Sequence, residues 1–304
     1  MLFTLYTAPL EDIIVKNKLE TMCYADDTQL YVVCSRDNFP CDQVESCIRE
    51  IRLWMSNNML ALNEGKTEVI RFSSKFVKGN QSRECDIQVG EVVVHSSPTV
   101  RDLGVLFDSC MSMKPHISNL CKLASFALWR ISKIRHLLDQ DSTEKLVHAF
   151  VTSRLDYCNS LLYGLPCNLL NKIQLIQNSA ARVVSRTKKS DHITPVLSRL
   201  HWLPLQKRIE FKILCIVYKI LHDMAPVYLQ ELLTIRSSGR ALRSSVHGSY
   251  ILHQPISDTA FYGDRAFSVC APRLWNRLPF LLRSCSSFSS FKANLKTHLF
   301  KEYF

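Results

Sequence analysis

Apolar side chains after Asp42 fall at Val44, Ile48, Ile51, Trp54 or Met55, and Met59, a spacing that predicts one amphipathic helix running on to about Asn63-Glu64-Gly65. Ahead of it, residues 21–25 and 28–33 are rich in strand formers with Asp26 and Asp27 between them, which predicts a hairpin whose turn carries two adjacent carboxylates. Behind it, "KTEVIRFSS" predicts a strand, and residues 87–89, 92–94 and 100–107 predict short β-pieces, with Gly90 as a turn residue. Residues 1–112 therefore read as α+β.

From residue 113 the pattern is helical. Ile117, Leu120, Ala124, Ala127, Leu128, Ile131, Ile134 and Leu138 form a long apolar stripe, and Asp141 with Glu144 three positions on offers a capping pair for the next helix. Another helix is expected after Pro166. One more spans residues 205–221, with Leu205, Ile209, Ile213, Ile216, Val217 and Ile220 on one face. At that face's edge Arg208, Lys212 and Lys219 lie within about 40° of one another. Residues 113–232 thus predict a helical domain. In residues 233–304 a Ser- and Arg-rich loop over 234–260 precedes "APRLWNRLP", read as a packed turn, and a terminal helix carrying Phe288, Phe291, Leu295 and Leu299 behind introducing serines.

Charge sharpens this division. The net charge of +11 splits into 10 Lys/Arg against 14 Asp/Glu over residues 1–100 and 28 against 13 over residues 101–304, balances of −4 and +15. Clustered cations gain by releasing counterions from phosphates, so the second part is the candidate for binding nucleic acid or an anionic membrane surface. Composition alone leaves that reading and a merely solvated surface both open. An apolar fraction of 47% with 21% charged residues excludes wholesale disorder. Twelve cysteines lack any Cys-x-x-Cys pair and predict reduced, mostly buried thiols rather than disulfides. His116 near Cys110 and Cys121, and His201 near Cys215, lack zinc-site spacing. The apolar opening has no basic leader and meets Glu11 and Asp12 early, and no later stretch reaches about 18 uninterrupted apolar residues. An intracellular chain, cytoplasmic or nuclear, without a membrane partner is expected.

The stretch "TMCYADDTQLYVV" carries the sharpest chemistry. Asp26-Asp27 alone suits a polar turn. Tyr24, Leu30, Tyr31 and Val32 give it flanks expected to be buried, where two adjacent anions repel unless a cation offsets them. Magnesium is the natural ion, since carboxylates hold the two metal ions of phosphoryl transfer. "YADDTQLY" resembles the catalytic hairpin of reverse transcriptases, specifically those of LINE-type (non-LTR) retrotransposons. "WMSNNMLALNEGKTEVIRF" resembles the helix and strand that follow the hairpin in that family, and "VRDLGVLFD" its next β-element, near the primer grip. "SRLDYCNSLLYGLP", "QNSAARVV", "DHITPVLSRLHWLP" and "APRLWNRLP" resemble the thumb and C-terminal region of such elements in animal genomes. The resemblance covers nearly the whole chain.

The resemblance implies an RNA-directed DNA polymerase origin: a partial palm over residues 1–112 (hairpin, short antiparallel sheet, one packed helix), a helical thumb over 113–232, and a C-terminal region over 233–304. It implies Asp26 as the principal metal-binding carboxylate, Asp27 as its neighbour, Lys66 as a lysine near the leaving pyrophosphate, Mg2+ as cofactor, and an RNA or DNA primer–template as partner. Lys66 also reads as a surface turn residue. For nucleic acid the candidate contacts are Arg182, Arg186, Lys188, Lys189, Arg208, Lys212 and Lys219. Glu11 and Asp12 lie too close to the hairpin to supply the family's other catalytic Asp, and no fingers, "Pro-Gln-Gly"-like segment or endonuclease domain is seen. The expectation is an incomplete catalytic site with little activity alone, or a thumb-derived protein that binds RNA or DNA without catalysis.

Overall fold

In a computed structural model, which describes residues 2–35, 39–74, 86–236, 250–259 and 261–304, the apolar opening folds as two short helices, α1 (Leu2–Thr7) and α2 (Pro9–Lys16). Pro9 stands in the first turn of α2, where its missing N–H removes no intrahelical bond. Strands β1 (Glu20–Tyr24) and β2 (Asp27–Tyr31) then pair antiparallel with Tyr24 opposite Asp27. The flanks expected to be buried are largely open: Tyr24 is 64% exposed and Tyr31 46%, while Leu30 and Val32 are partly buried against the core.

Helix α3 (Cys41–Asn57) buries Val44, Cys47, Ile48 and Ile51, as its periodicity predicts, but it ends well before Asn63. Met59 adopts φ 57°, and the Leu60 N–H donates to the Met55 carbonyl at 2.8 Å, closing the helix with the bond that a left-handed residue after the last turn allows. Strands β3 (Ile87–Val89) and β4 (Val92–Val94) turn at Gly90, whose φ of 64° disfavours any side chain, and a Cβ there would also push aside the ends of Glu64 and Arg52. Together α2, α3, β3 and β4 enclose a core of Leu10, Ile14, Val44, Cys47, Ile48, Ile51, Ile87, Val89 and Val94.

Two β-expectations fail here. "KTEVIRFSS" begins in a 3-10 turn over Glu64–Lys66 and then finds only one bridge partner, Val69 with Ser96, so it is no strand. Residues 100–107 form a hairpin rather than one piece, because Leu103 (φ 43°) and Gly104 (φ 85°) reverse the chain between β5 (Thr99–Asp102) and β6 (Val105–Asp108). Each described sheet is two-stranded.

The chain divides into two compact units, residues 1–115 and 116–304. Helix α4 (Lys114–Ile134) leads into the second. It buries Ile117, Leu120, Ala124, Leu128 and Ile131, as the stripe predicts, whereas Ile134 is exposed. Helix α5 (Gln140–Val147) is capped by Asp139, whose carboxylate accepts the Ser142 N–H at 2.7 Å, and not by the Asp141/Glu144 pair. Asp141 pairs instead with Lys145, and Glu144 accepts the Trp202 indole N–H at 3.1 Å. A π-helical segment, His148–Thr152, joins α5 to α6 (Ser153–Asp156).

Helices α7 (Cys167–Ser185), α8 (Thr194–Arg199), α9 (Leu205–Leu221) and α10 (Val227–Gln230) follow. "APRLWNRLP" is not a turn. It supplies most of α11 (Phe267–Arg277), where burial of Ala271, Leu274 and Trp275 outweighs the backbone bond lost at Pro272. After α12 (Phe280–Arg283), helix α13 (Phe288–Tyr303) is capped by Ser287, which accepts the Ser290 N–H at 3.2 Å. Residues 233–304 do not stand apart as a domain, since α11 and α13 pack on α9 and share the core of Tyr218, Trp275 and Phe291. Of the expected loop over 234–260, residues 237–249 and 260 lie outside the described residues, and within the rest Ile235 and Leu252 form an isolated antiparallel bridge.

Cys47, Cys215 and Cys270 are buried thiols pushed up to about 11 by desolvation, and so unreactive. Cys23, Cys158 and Cys167 are exposed, so the thiols are not mostly buried as expected. Among the described residues no helix is long and apolar enough to cross a membrane.

Candidate nucleic-acid interface

The turn of the first hairpin has two residues, Ala25 and Asp26, and Asp27 opens β2. Ala25 takes φ 55°, the left-handed conformation that such tight turns demand of their first residue. Both carboxylates are exposed, so water offsets their repulsion and no buried cation is required. Among the described residues no group of three His, Cys, Asp or Glu side chains is placed to hold a metal ion. Asp26 and Asp27 alone do not fit a two-metal centre. Lys66 is exposed in its 3-10 turn, and no ion pair joins it to either carboxylate.

The seven candidate cations separate into two kinds. Arg208 is engaged internally: its Nε donates to Asp156 Oδ1 at 2.8 Å and its Nη2 to Oδ2, a two-pronged pair that orients the guanidinium toward α6. Arg182 donates to the carbonyls of Lys188 (3.4 Å) and Asp191 (3.1 Å), and Arg186 to those of Arg135 (3.2 Å) and Leu138 (3.4 Å). These two shape the turns beyond α7 while keeping an uncompensated charge. Lys188, Lys189, Lys212 and Lys219 are exposed, Lys219 lying 5.0 Å from the centre of the Phe288 ring.

Arg135 belongs with them, although sequence reasoning passed over it. Its guanidinium donates to Val183 O (2.8 Å), Val184 O (2.8 Å) and Leu138 O (2.6 Å), satisfying carbonyls that the last turn of α7 would otherwise leave open. Desolvation and the neighbouring Arg186 pull it below the usual arginine value, with Asp139 acting in the opposite direction. It remains a cation.

A larger omission is the outer face of α4. Lys122, Phe126, Trp129 and Lys133 occupy one stripe at spacings of four, three and four, and all are exposed, Phe126 at 59% and Trp129 at 55%. The two rings stack with centroids 6.0 Å apart, Arg130 lies 6.0 Å from the centre of the Phe126 ring, and Lys133 lies 5.4 Å from that of Trp129. Between Asp108 and Asp139 the sequence holds Lys114, Lys122, Arg130, Lys133 and Arg135 and no acid. That gap was the available signal. It was hidden because periodicity directs attention to the buried face.

One cleft of about 430 Å3 opens in the second unit, between the α5–π–α6 segment, the turn after α8, α9 and α13. Glu144, His148, Asp156, His201, Arg208, Lys212 and Lys296 supply its charged and titratable walls.

Comparison of the chain with family models, with curated proteins and with solved structures finds no match.

Proposed function

We propose that the chain derives from a LINE-type reverse transcriptase and that its described residues grip nucleic acid rather than extend a primer. The observation that carries the binding is α4. A helix with cations, no anion and two stacked exposed rings suits a polyanion whose bases offer π-faces. A protein-docking helix would gain from apolar exposure but not from excluding every acid. Phosphate contacts from Lys122, Lys133, Arg182, Arg186, Lys188 and Lys189 would add salt-sensitive, sequence-tolerant affinity. In this reading residues 1–112 are palm-derived, the helical unit is thumb-like, the partners are RNA and DNA, and the protein is intracellular.

Support for the family half comes from "YADD", with Asp26 in the hairpin turn and Asp27 beside it. Magnesium would supply charge neutralisation for a transferring phosphoryl group. With only Asp26 and Asp27 to meet it among the described residues, no polymerisation step is derived. A binding protein that retains the hairpin without using it is the second reading, favoured by the same lack of a third carboxylate.

The test is one experiment with two readouts. Purified protein is mixed with a labelled RNA primer–template in magnesium. It should shift the duplex at low salt, lose it steeply as salt rises, and give no extension product above an Asp26→Ala control. No shift at low salt would sink the binding. Extension abolished by Asp26→Ala would sink the non-catalytic half.

A further inference from the structure

We propose that the cleft beside α9 holds the phosphorylated end of a nucleic-acid strand. This rests on the nucleic-acid reading above and adds a site that recognises termini.

The charges of the cleft argue for an anion. Its two acids are both engaged: Asp156 accepts from Arg208 and from Asn159 Nδ2 (3.2 Å), while Glu144 accepts from the Trp202 indole and lies 3.4 Å from His148 Nε2. Lys212 on α9 and Lys296 on α13 are exposed and make no hydrogen bond or ion pair with the described residues. The cleft's fixed charges sum to +1, Arg208, Lys212 and Lys296 against Asp156 and Glu144, and its two ammonium groups without a bonded partner among the described residues are available to one anion with several acceptor oxygens. A terminal phosphate monoester carries about −1.5 to −2 at neutral pH, whereas each phosphodiester within a strand carries one. Shape agrees with charge. The site is a cleft bounded by four segments rather than a track along one helix, and its volume of about 430 Å3 suits a nucleotide-sized end rather than a lone ion. Phe211 and Trp202 furnish apolar wall for a sugar or base beside the phosphate.

The backbone around the cleft is unusual at two independent points. His148 opens the π-helical segment, and His201 adopts φ 54°, a conformation that costs a non-glycine residue energy. Both residues line the cleft. His201 is held there by stacking on Phe300 with centroids 5.7 Å apart.

The full chain is titrated by calorimetry with 5′-phosphorylated and 5′-hydroxyl forms of one single-stranded oligonucleotide, with adenosine 5′-monophosphate, and with a peptide ending in a free carboxylate. About tenfold preference for the phosphorylated oligonucleotide is expected. Lys212→Ala with Lys296→Ala, two exposed positions that leave the core intact, should abolish the preference and weaken the monophosphate by a similar factor. Phe126→Ala with Trp129→Ala should weaken both oligonucleotides equally and leave their ratio unchanged. Failure of both oligonucleotides to bind would defeat the broader reading, and the monophosphate would then decide the cleft alone. Equal affinity for the two oligonucleotides, a preference that survives the double lysine variant, no monophosphate binding, or tighter binding of the peptide would each overturn the proposal.

Discussion

The two units hold their chemistry on elements of opposite character. In the first, the fully buried core is aliphatic with one cysteine, Phe39 and Trp54 being only partly covered, and the carboxylates ride on a two-stranded ribbon most of whose side chains are exposed. In the second, Trp275, Tyr218 and Phe291 are fully buried against one another where α11 and α13 pack on α9, the helix that carries Lys212 and Lys219. A catalytic carboxylate must be held to within a fraction of an ångström by its surroundings, whereas a phosphate-binding lysine works through long-range charge. The first unit presents its acids without such support. The second presents its cations around a closely packed aromatic core, and a charge-based contact asks for no finer placement than that.

The largest effect should come from that core itself. Trp275→Ala should cost about 3–5 kcal/mol in urea unfolding followed by near-UV circular dichroism. A loss below about 1 kcal/mol would mean that the second unit is no better determined than the first. Next comes binding: Phe126→Ala with Trp129→Ala should lower affinity for single-stranded RNA by about tenfold or more, stacking being worth about 1–3 kcal/mol per base. Asp26→Asn, in the other unit, should leave affinity within twofold by fluorescence anisotropy. An equal loss from both would erase the contrast.

Acid should reach the second unit through His116. Burial lowers its folded pKa below the ordinary histidine value of about 6.5, so between the two values the unfolded chain binds more protons than the folded one. Its contribution to stability is full above about 6.5 and is lost as pH falls through the folded value. Thermal melts from pH 7.5 to 5 should decline, and His116→Gln should decline less. Parallel melts for the two proteins would remove His116 as the cause. The smallest effect belongs to the ribbon. Ala25→Gly relieves a left-handed alanine at a gain of up to about 1 kcal/mol, reduced by the freer unfolded chain, and should raise hydrogen-exchange protection of β1 and β2.

How much of this the sequence discloses depends on how local the cause is. Helix α9 is legible end to end because Leu205, Ile209, Ile213, Val217 and Ile220 repeat with the helix, and the hairpin because strand formers flank a turn-forming pair. Residues 66–74 look like a strand, but a strand also needs a neighbour, and only Ser96 provides one. Helix α3 stops where Met59 reverses hand, which no apolar spacing announces. For the site, the exposed lysines are visible as charges, but that Arg208 is tied to Asp156, 52 positions earlier, is a fact of packing alone. Phe126 and Trp129 were present in the same helical pattern, off its stripe, where periodicity has nothing to say.

Helix α7 ends in a way that reverses its polarity. The C-terminal end of a helix normally presents bare carbonyls and a partial negative charge, and so turns phosphates away. Here Arg135 covers two of those carbonyls, Arg186 follows as the capping residue and Arg182 stands one turn back. Three whole positive charges replace half a negative one. A helix terminus that should repel anions instead concentrates positive charge, and a charge of that kind carries no preference for the sequence of a polyanion.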